Sequence, residues 1–168
     1  MIDLLAVNKQ LRESLSSLNH VPWLSGTFCL TGTRVEILQL IQSWTRSANS
    51  QMFWLHGQAG SGKSTTVQTT FQWLQQNHIP SALYTCSKTQ TELHSPLNVL
   101  PTLCYQLCML DRVYGQYIAS EFQNNPLLQS GLGHIATQLE LLFLAPFQMA
   151  RISFGHGVVV ILDALDEC

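Results

Sequence analysis

Apolar residues recur along this chain at two spacings, one near 3.6 and one giving short unbroken runs. Leu4, Leu11 and Leu18 stand a heptad apart with Val7 and Leu15 beside them, which predicts a helix over residues 2–18. Two and a half heptads are too few for a coiled coil, so the helix is read as a single amphipathic one. Pro22 and Gly26 mark residues 19–28 as a linker. Ile37, Ile41 and Trp44 form one face of a second helix, which ends in Ser47-Ala48-Asn49-Ser50. Residues 52–56, Met-Phe-Trp-Leu-His, read as a strand, and Val67, Phe71 and Leu74 give the next helix its core face. A strand over 81–86 follows Pro80, and residues 87–95 are polar loop. Helices are predicted over 100–110 (Leu100, Leu103, Leu107, with Pro101 in the first turn) and 112–122. Another is predicted over 133–144, with Ile135, Leu139 and Leu142 inward and Pro146 as its stop. The last strand, 158–162, is Val-Val-Val-Ile-Leu. Its lack of alternation predicts cover on both faces. Strands alternating with helices predict an α/β fold around a parallel sheet.

Composition narrows the class. The chain has 168 residues, 46% of them hydrophobic, enough for a domain with a core. Charged residues are only 11%, against the usual quarter, which implies that much of the surface is covered in the intact protein. A net charge of −2 without a basic block gives no reason to expect nucleic acid or an anionic membrane as partner. No apolar run approaches the ~20 residues of a membrane span. The five cysteines lack a Cys-x-x-Cys pair, which favours free thiols and a cytoplasmic location. Cys104 and Cys108 lie one helical turn apart and read as core thiols rather than half of a metal site. The six histidines are dispersed and suggest no metal centre.

The chemistry concentrates in two places. Gly57-Gln58-Ala59-Gly60-Ser61-Gly62-Lys63-Ser64-Thr65 fits G-x-x-x-x-G-K-[ST]. It lies between a predicted strand and a predicted helix, as a phosphate-binding loop requires. Glycines let successive N–H groups converge on one anion, and the helix N-terminus adds its dipole. Lys63 is expected to reach the β- and γ-phosphates and the Ser64 hydroxyl to ligate Mg²⁺. The second place is Asp163, at the carboxyl end of the last strand, with Asp166 and Glu167 close behind. Ligands collect at such strand ends. Asp163 is expected to hold the same Mg²⁺, directly or through water, and Asp166 or Glu167 to orient or deprotonate an attacking water. The predicted ligands are therefore ATP or GTP with Mg²⁺. Nothing in the residues separates adenine from guanine.

Leu162-Asp163-Ala164-Leu165-Asp166-Glu167 resembles the extended Walker B motif of NACHT NTPases, which belong to the STAND class of signalling ATPases and GTPases. Cys29-Leu30-Thr31-Gly32-Thr33-Arg34, Phe53-Trp54-Leu55-His56-Gly57, Leu100-Pro101-Thr102-Leu103, Tyr105-Gln106-Leu107 and residues 138–147 resemble the fungal, heterokaryon-incompatibility type of that family. Thr31 stands where that pattern has proline, and Lys88 where arginine is commoner. The resemblance covers about residues 28–168. It implies a P-loop three-layer sandwich and a regulatory switch. The triphosphate form would self-associate through this domain, and slow hydrolysis would reset it. It divides the chain into an N-terminal helix and linker, 1–27, and a nucleotide-binding domain, 28–168. It also implies a sheet ordered 5-1-4-3-2. Residues 52–56, 81–86 and 158–162 would be strands one to three, with strands four and five expected beyond residue 168. The domain is therefore expected to be incomplete here, with a gap or a wrong closure between strands one and three, to bind nucleotide poorly alone and to be inactive.

Two other classes compete. A metabolic P-loop kinase would need a cluster of arginines to close over its phosphates, and Arg12, Arg34, Arg46, Arg112 and Arg151 are scattered. A small GTPase would need N-K-x-D after the last strand, and none is present. A module that binds nucleotide without hydrolysing it is the remaining alternative.

Overall fold

The computed structural model describes residues 27–47, 52–86, 95–125, 134–148, 154 and 157–167. The helix predicted over 2–18 lies outside them. In chain order the elements are α1 (Val35–Thr45), α2 (Lys63–Gln76), β1 (Ser81–Thr85), α3 (Val99–Leu110), α4 (Arg112–Asn124), α5 (Ile135–Leu139), α6 (Ala145–Gln148) and β2 (Val159–Asp163). A 3₁₀ turn, Pro96–Asn98, leads into α3, and another, Leu165–Glu167, follows β2.

β1 and β2 form a two-stranded parallel sheet, with Ser81 opposite Val159 and Thr85 opposite Asp163. The core lies on the β1 side. Ala82, Tyr84 and Cys86 point into one cluster with Leu103, Cys104 and Leu107 of α3, Tyr114, Ile118 and Phe122 of α4, and Leu142. Leu83 alternates to the other face and is also buried, and α2 packs on both strands with Phe71 and Leu74 inward. Asp111 starts α4 by accepting a hydrogen bond from the Tyr114 amide, 2.7 Å. At Gly115 an added Cβ would stand 3.1 Å from the Cys108 carbonyl oxygen, so the missing side chain is what lets α4 approach α3 this closely.

The outer edge of β1 is closed by one side chain. Gln106 accepts from the Leu83 amide at 2.8 Å and donates to the Leu83 carbonyl at 2.7 Å, reproducing the two bonds another strand would make. Val160 and Leu162 direct their backbone groups away from β1, because Val159 and Asp163 supply the bonds toward it.

Three expectations change. Residues 52–56 form no ladder with any described residue. β1 pairs with β2 alone, which places the expected strands two and three side by side, and residues 52–56 stay unpaired from β2, as the expected gap between strands one and three requires. Phe53 packs edge-to-face on Trp44 at 5.7 Å, while Met52 and Trp54 stay exposed. β2 is not covered on both faces either. Val160 is 41% and Leu162 43% exposed, so the unbroken apolar run marks a surface that no described residue covers. It also starts one residue later than predicted, which makes Asp163 the last residue of the strand.

The third change is at the helix predicted over 133–144. It passes through a π turn, Glu140–Leu144, into α6, so Pro146 lies inside a helix rather than ending one. The wider turn rotates the inward face. Gln138, Leu142 and Pro146 are buried, and Ile135 and Leu139 are 48% and 41% exposed. Proline has no N–H to give the carbonyl four residues back, that of Leu142. The buried Tyr114 hydroxyl donates to that carbonyl instead. Tyr114→Phe should therefore leave the carbonyl unsatisfied and cost about 1–3 kcal/mol, read as a lower urea midpoint at unchanged slope. An unchanged midpoint would mean that water replaces the hydroxyl there.

Cys29, Cys104 and Cys108 are free thiols. The Cys108 thiol is pushed up by its hydrogen bond with Cys104 and by burial, which suits two neutral core thiols. Cys86 is disulfide-bonded, contrary to the expectation of free thiols throughout. None of the other described cysteines is its partner.

Candidate functional site

The glycine loop has the backbone its sequence demands. Gly60 and Gly62 have φ of 75° and 79°, where a side chain is strained. At Gly57 a Cβ would stand 3.0 Å from the Ser61 hydroxyl oxygen. The loop turns on a bond from the Ser61 amide to the Gln58 carbonyl, and Gly62 then starts α2. The Thr66 amide and hydroxyl both donate to the Gly62 carbonyl, at 3.0 and 3.1 Å. No side chain caps this helix, so its first amides keep their donors for an incoming group. Lys63 folds over the loop, its ammonium donating to the carbonyls of Gly57 at 2.9 Å and Gln58 at 3.1 Å.

The parallel pairing carries Asp163 to this helix start. The Ser64 hydroxyl and the Ala164 amide lie close enough to its carboxylate to favour the charged form. Only 6% of the residue is exposed, and one carboxylate oxygen, Oδ2, has no hydrogen-bond partner. Burial raises the Asp163 carboxyl above its ordinary value, and Glu167 adds to this. Ser64, Ala164 and the charge of Lys63 oppose it. Two hard oxygen donors, one an unpartnered buried carboxylate oxygen, suit a divalent cation such as Mg²⁺. Ala164 has φ 55°, and the Glu167 amide donates to the Ala164 carbonyl at 2.8 Å, so the chain doubles back at once. This brings Glu167 within electrostatic reach of Asp163, while Asp166 is exposed. The structure thus gathers Lys63, Ser64, Asp163 and Glu167, and leaves Asp166 at the rim.

A second segment borders the loop. Residues 27–34 lie along the first turns of α2. The Thr27 and Thr65 hydroxyls are 3.4 Å apart, and the Cys29 amide donates to the Thr69 hydroxyl at 2.9 Å. Arg34 then lays its guanidinium against Gly62. A Cβ built on Gly62 would stand 2.8 Å from Cζ and 3.3 Å from Nη1. No local spacing reveals this contact, because a whole helix separates Arg34 from the loop in sequence. The only hint is its place in the Gly-Thr-Arg turn before α1.

Residues 32–168 match the family described as Nephrocystin 3, N-terminal. The chain belongs to this family. The nephrocystin 3 N-terminal match takes in both Gly57–Thr65 and Asp163–Glu167. No curated protein and no solved structure matches the chain. Among the described residues, no helix is long and apolar enough to cross a membrane.

Proposed function

We propose that this nephrocystin 3 N-terminal domain binds a nucleoside triphosphate, ATP or GTP, with Mg²⁺, and hydrolyses it slowly as a NACHT-like regulatory switch. The observation that carries the reading is the closeness of Ser64 to the buried Asp163, whose Oδ2 has no partner, at the open start of α2. It joins the two halves of a phosphate site that lie far apart in sequence.

The loop amides of residues 58–65 would hold the phosphates, with Gly57, Gln58, Ala59, Gly60, Ser61 and Gly62 shaping the cradle. Lys63 would exchange its loop carbonyls for phosphate oxygens. Ser64 and Asp163 would hold Mg²⁺, which neutralises charge on the β- and γ-phosphates. Of the two candidates we favour Glu167 to orient water, because its charge bears on Asp163 while Asp166 is exposed. The resemblance to NACHT proteins supports self-association in the triphosphate state and a cytoplasmic setting. The P-loop three-layer sandwich is part of the same reading.

The test is binding and turnover of Mg-ATP and Mg-GTP by the full chain. Micromolar binding with turnover independent of added phosphoryl acceptors supports a switch, whereas acceptor-dependent turnover supports a kinase. Glu167→Gln should slow hydrolysis by about 10²-fold without changing affinity, as loss of a general base does. If Asp166→Asn shows that effect and Glu167→Gln does not, the water is held from the rim. Failure of the intact protein to bind either nucleotide would remove the proposal.

A further inference from the structure

We propose that Arg34 is a second positively charged ligand of the nucleotide's α,β-diphosphate, and so ties the 27–34 segment to occupancy of the glycine loop. This rests on the nucleotide-binding reading and names a residue outside the Gly57–Thr65 loop. The Arg34 guanidinium lies against Gly62, the residue that opens α2. Lys63 follows immediately, and the helix start adds its own positive end. Two cations and a dipole of the same sign gather here, yet no ion pair to Arg34 is formed among the described residues, where its side chain is exposed.

Within the same site the buried Asp163 lies beside Ser64 and keeps one carboxylate oxygen unpartnered. A doubly charged phosphate group held with a cation answers both imbalances. It supplies acceptors for a forked guanidinium, which favours bidentate oxyanions. The cation takes the orphan carboxylate oxygen.

The position is built rather than incidental. Arg34 has φ 55° and ψ 27°, a left-handed conformation unusual for a residue with a side chain. The turn before it is closed by the Thr33 amide and hydroxyl, both donating to the Leu30 carbonyl, at 2.9 and 2.7 Å. The segment is also bonded to α2 at Thr69. Because Arg34 sits at the helix start, and Lys63 extends from the same point toward the terminal phosphates, its contact falls on the part that diphosphate and triphosphate share.

The test uses the full chain and whichever of fluorescent Mg-ADP or Mg-GDP it binds, with the matching triphosphate, over a salt series. Arg34→Ala should weaken both forms tenfold or more and flatten the salt dependence. Arg34→Lys should fall between it and the parent. Thermal unfolding without nucleotide should be the same in all three, as Arg34 is exposed. Lys63→Ala is run alongside. If Lys63→Ala loses binding and Arg34→Ala does not, this inference is overturned and the nucleotide reading stands. If affinity falls with an unchanged salt slope, Arg34 is a structural support only, and the inference is likewise overturned. If neither variant loses binding, the nucleotide reading fails and takes this one with it.

Discussion

Replacing Lys63 by alanine should reduce nucleotide affinity at least a hundredfold. The ammonium donates to the Gly57 and Gln58 carbonyls across the loop. Phosphate oxygens carry charge and are stronger acceptors than the carbonyls they would replace, so the exchange strengthens the lysine's bonds and adds the attraction of opposite charges. Nothing else in the loop from Gly57 to Thr65 carries a positive side chain. The lysine is also a brace for the empty loop, so two measurements are needed. Equilibrium binding of labelled nucleotide reads the loss, and thermal unfolding of the empty protein reads the brace. A mutant that unfolds like the parent but does not bind identifies the lysine as a ligand. Full binding by the mutant would exclude the loop as a phosphate site.

Asp163→Asn should move stability and binding in opposite directions. Its carboxylate is nearly buried, raised by desolvation, and short of one partner. A buried charge lacking a full set of partners costs stability. An amide keeps the shape and removes that charge, so the empty protein should melt later than the parent. With Mg²⁺ and nucleotide the order should reverse, because an amide binds a divalent cation more weakly. Mg-dependent affinity should fall about tenfold or more, on the scale of one lost charge-assisted contact, while affinity measured in EDTA should change little. Paired melting curves, with and without Mg-nucleotide, check this in one series. If Asp163→Asn lowers the melting point in both, the carboxylate belongs to the fold and not to a cation site.

The helices were legible where one residue type did one job. Leu103 and Leu107 on α3, Ile41 on α1, and Phe71 and Leu74 on α2 are inward as their spacing predicts. α3 and α4 start and stop within two residues of expectation. The turn of the glycine loop and the helix start after it were legible because both are set by residues adjacent in sequence. The closeness of Ser64 and Asp163 was legible only as a pairing of motifs, since it depends on how β2 pairs. What could not be read depends on partners distant in sequence. The π turn follows from Pro146 and the Tyr114 hydroxyl together, and neither says so alone. Residues 52–56 have a strand's composition, but they form no ladder even though the outer edge of β2 is open among the described residues. Two buried threonines, Thr66 and Thr70, hide on α2 because apolar periodicity does not register polar residues. Arg34 meets Gly62 only after α1 and α2 have packed together.

The closure of β1 by Gln106 has a consequence for how copies of this protein can meet. A sheet with two open edges can recruit copies at both ends and grow without limit, the geometry of a fibre. Among the described residues this sheet has one open edge, that of β2, because an amide side chain occupies the other. Joining two sheets edge to edge therefore uses up the single available rim on each, and the product is a pair related by a twofold axis with nothing left to add to. Gln106→Ala would strand the Leu83 amide and carbonyl inside the core, because Ser81 to Tyr84 are buried and α3 packs over this side of β1. The far rim is thus closed to a second copy twice over, by the amide and by the helix that carries it.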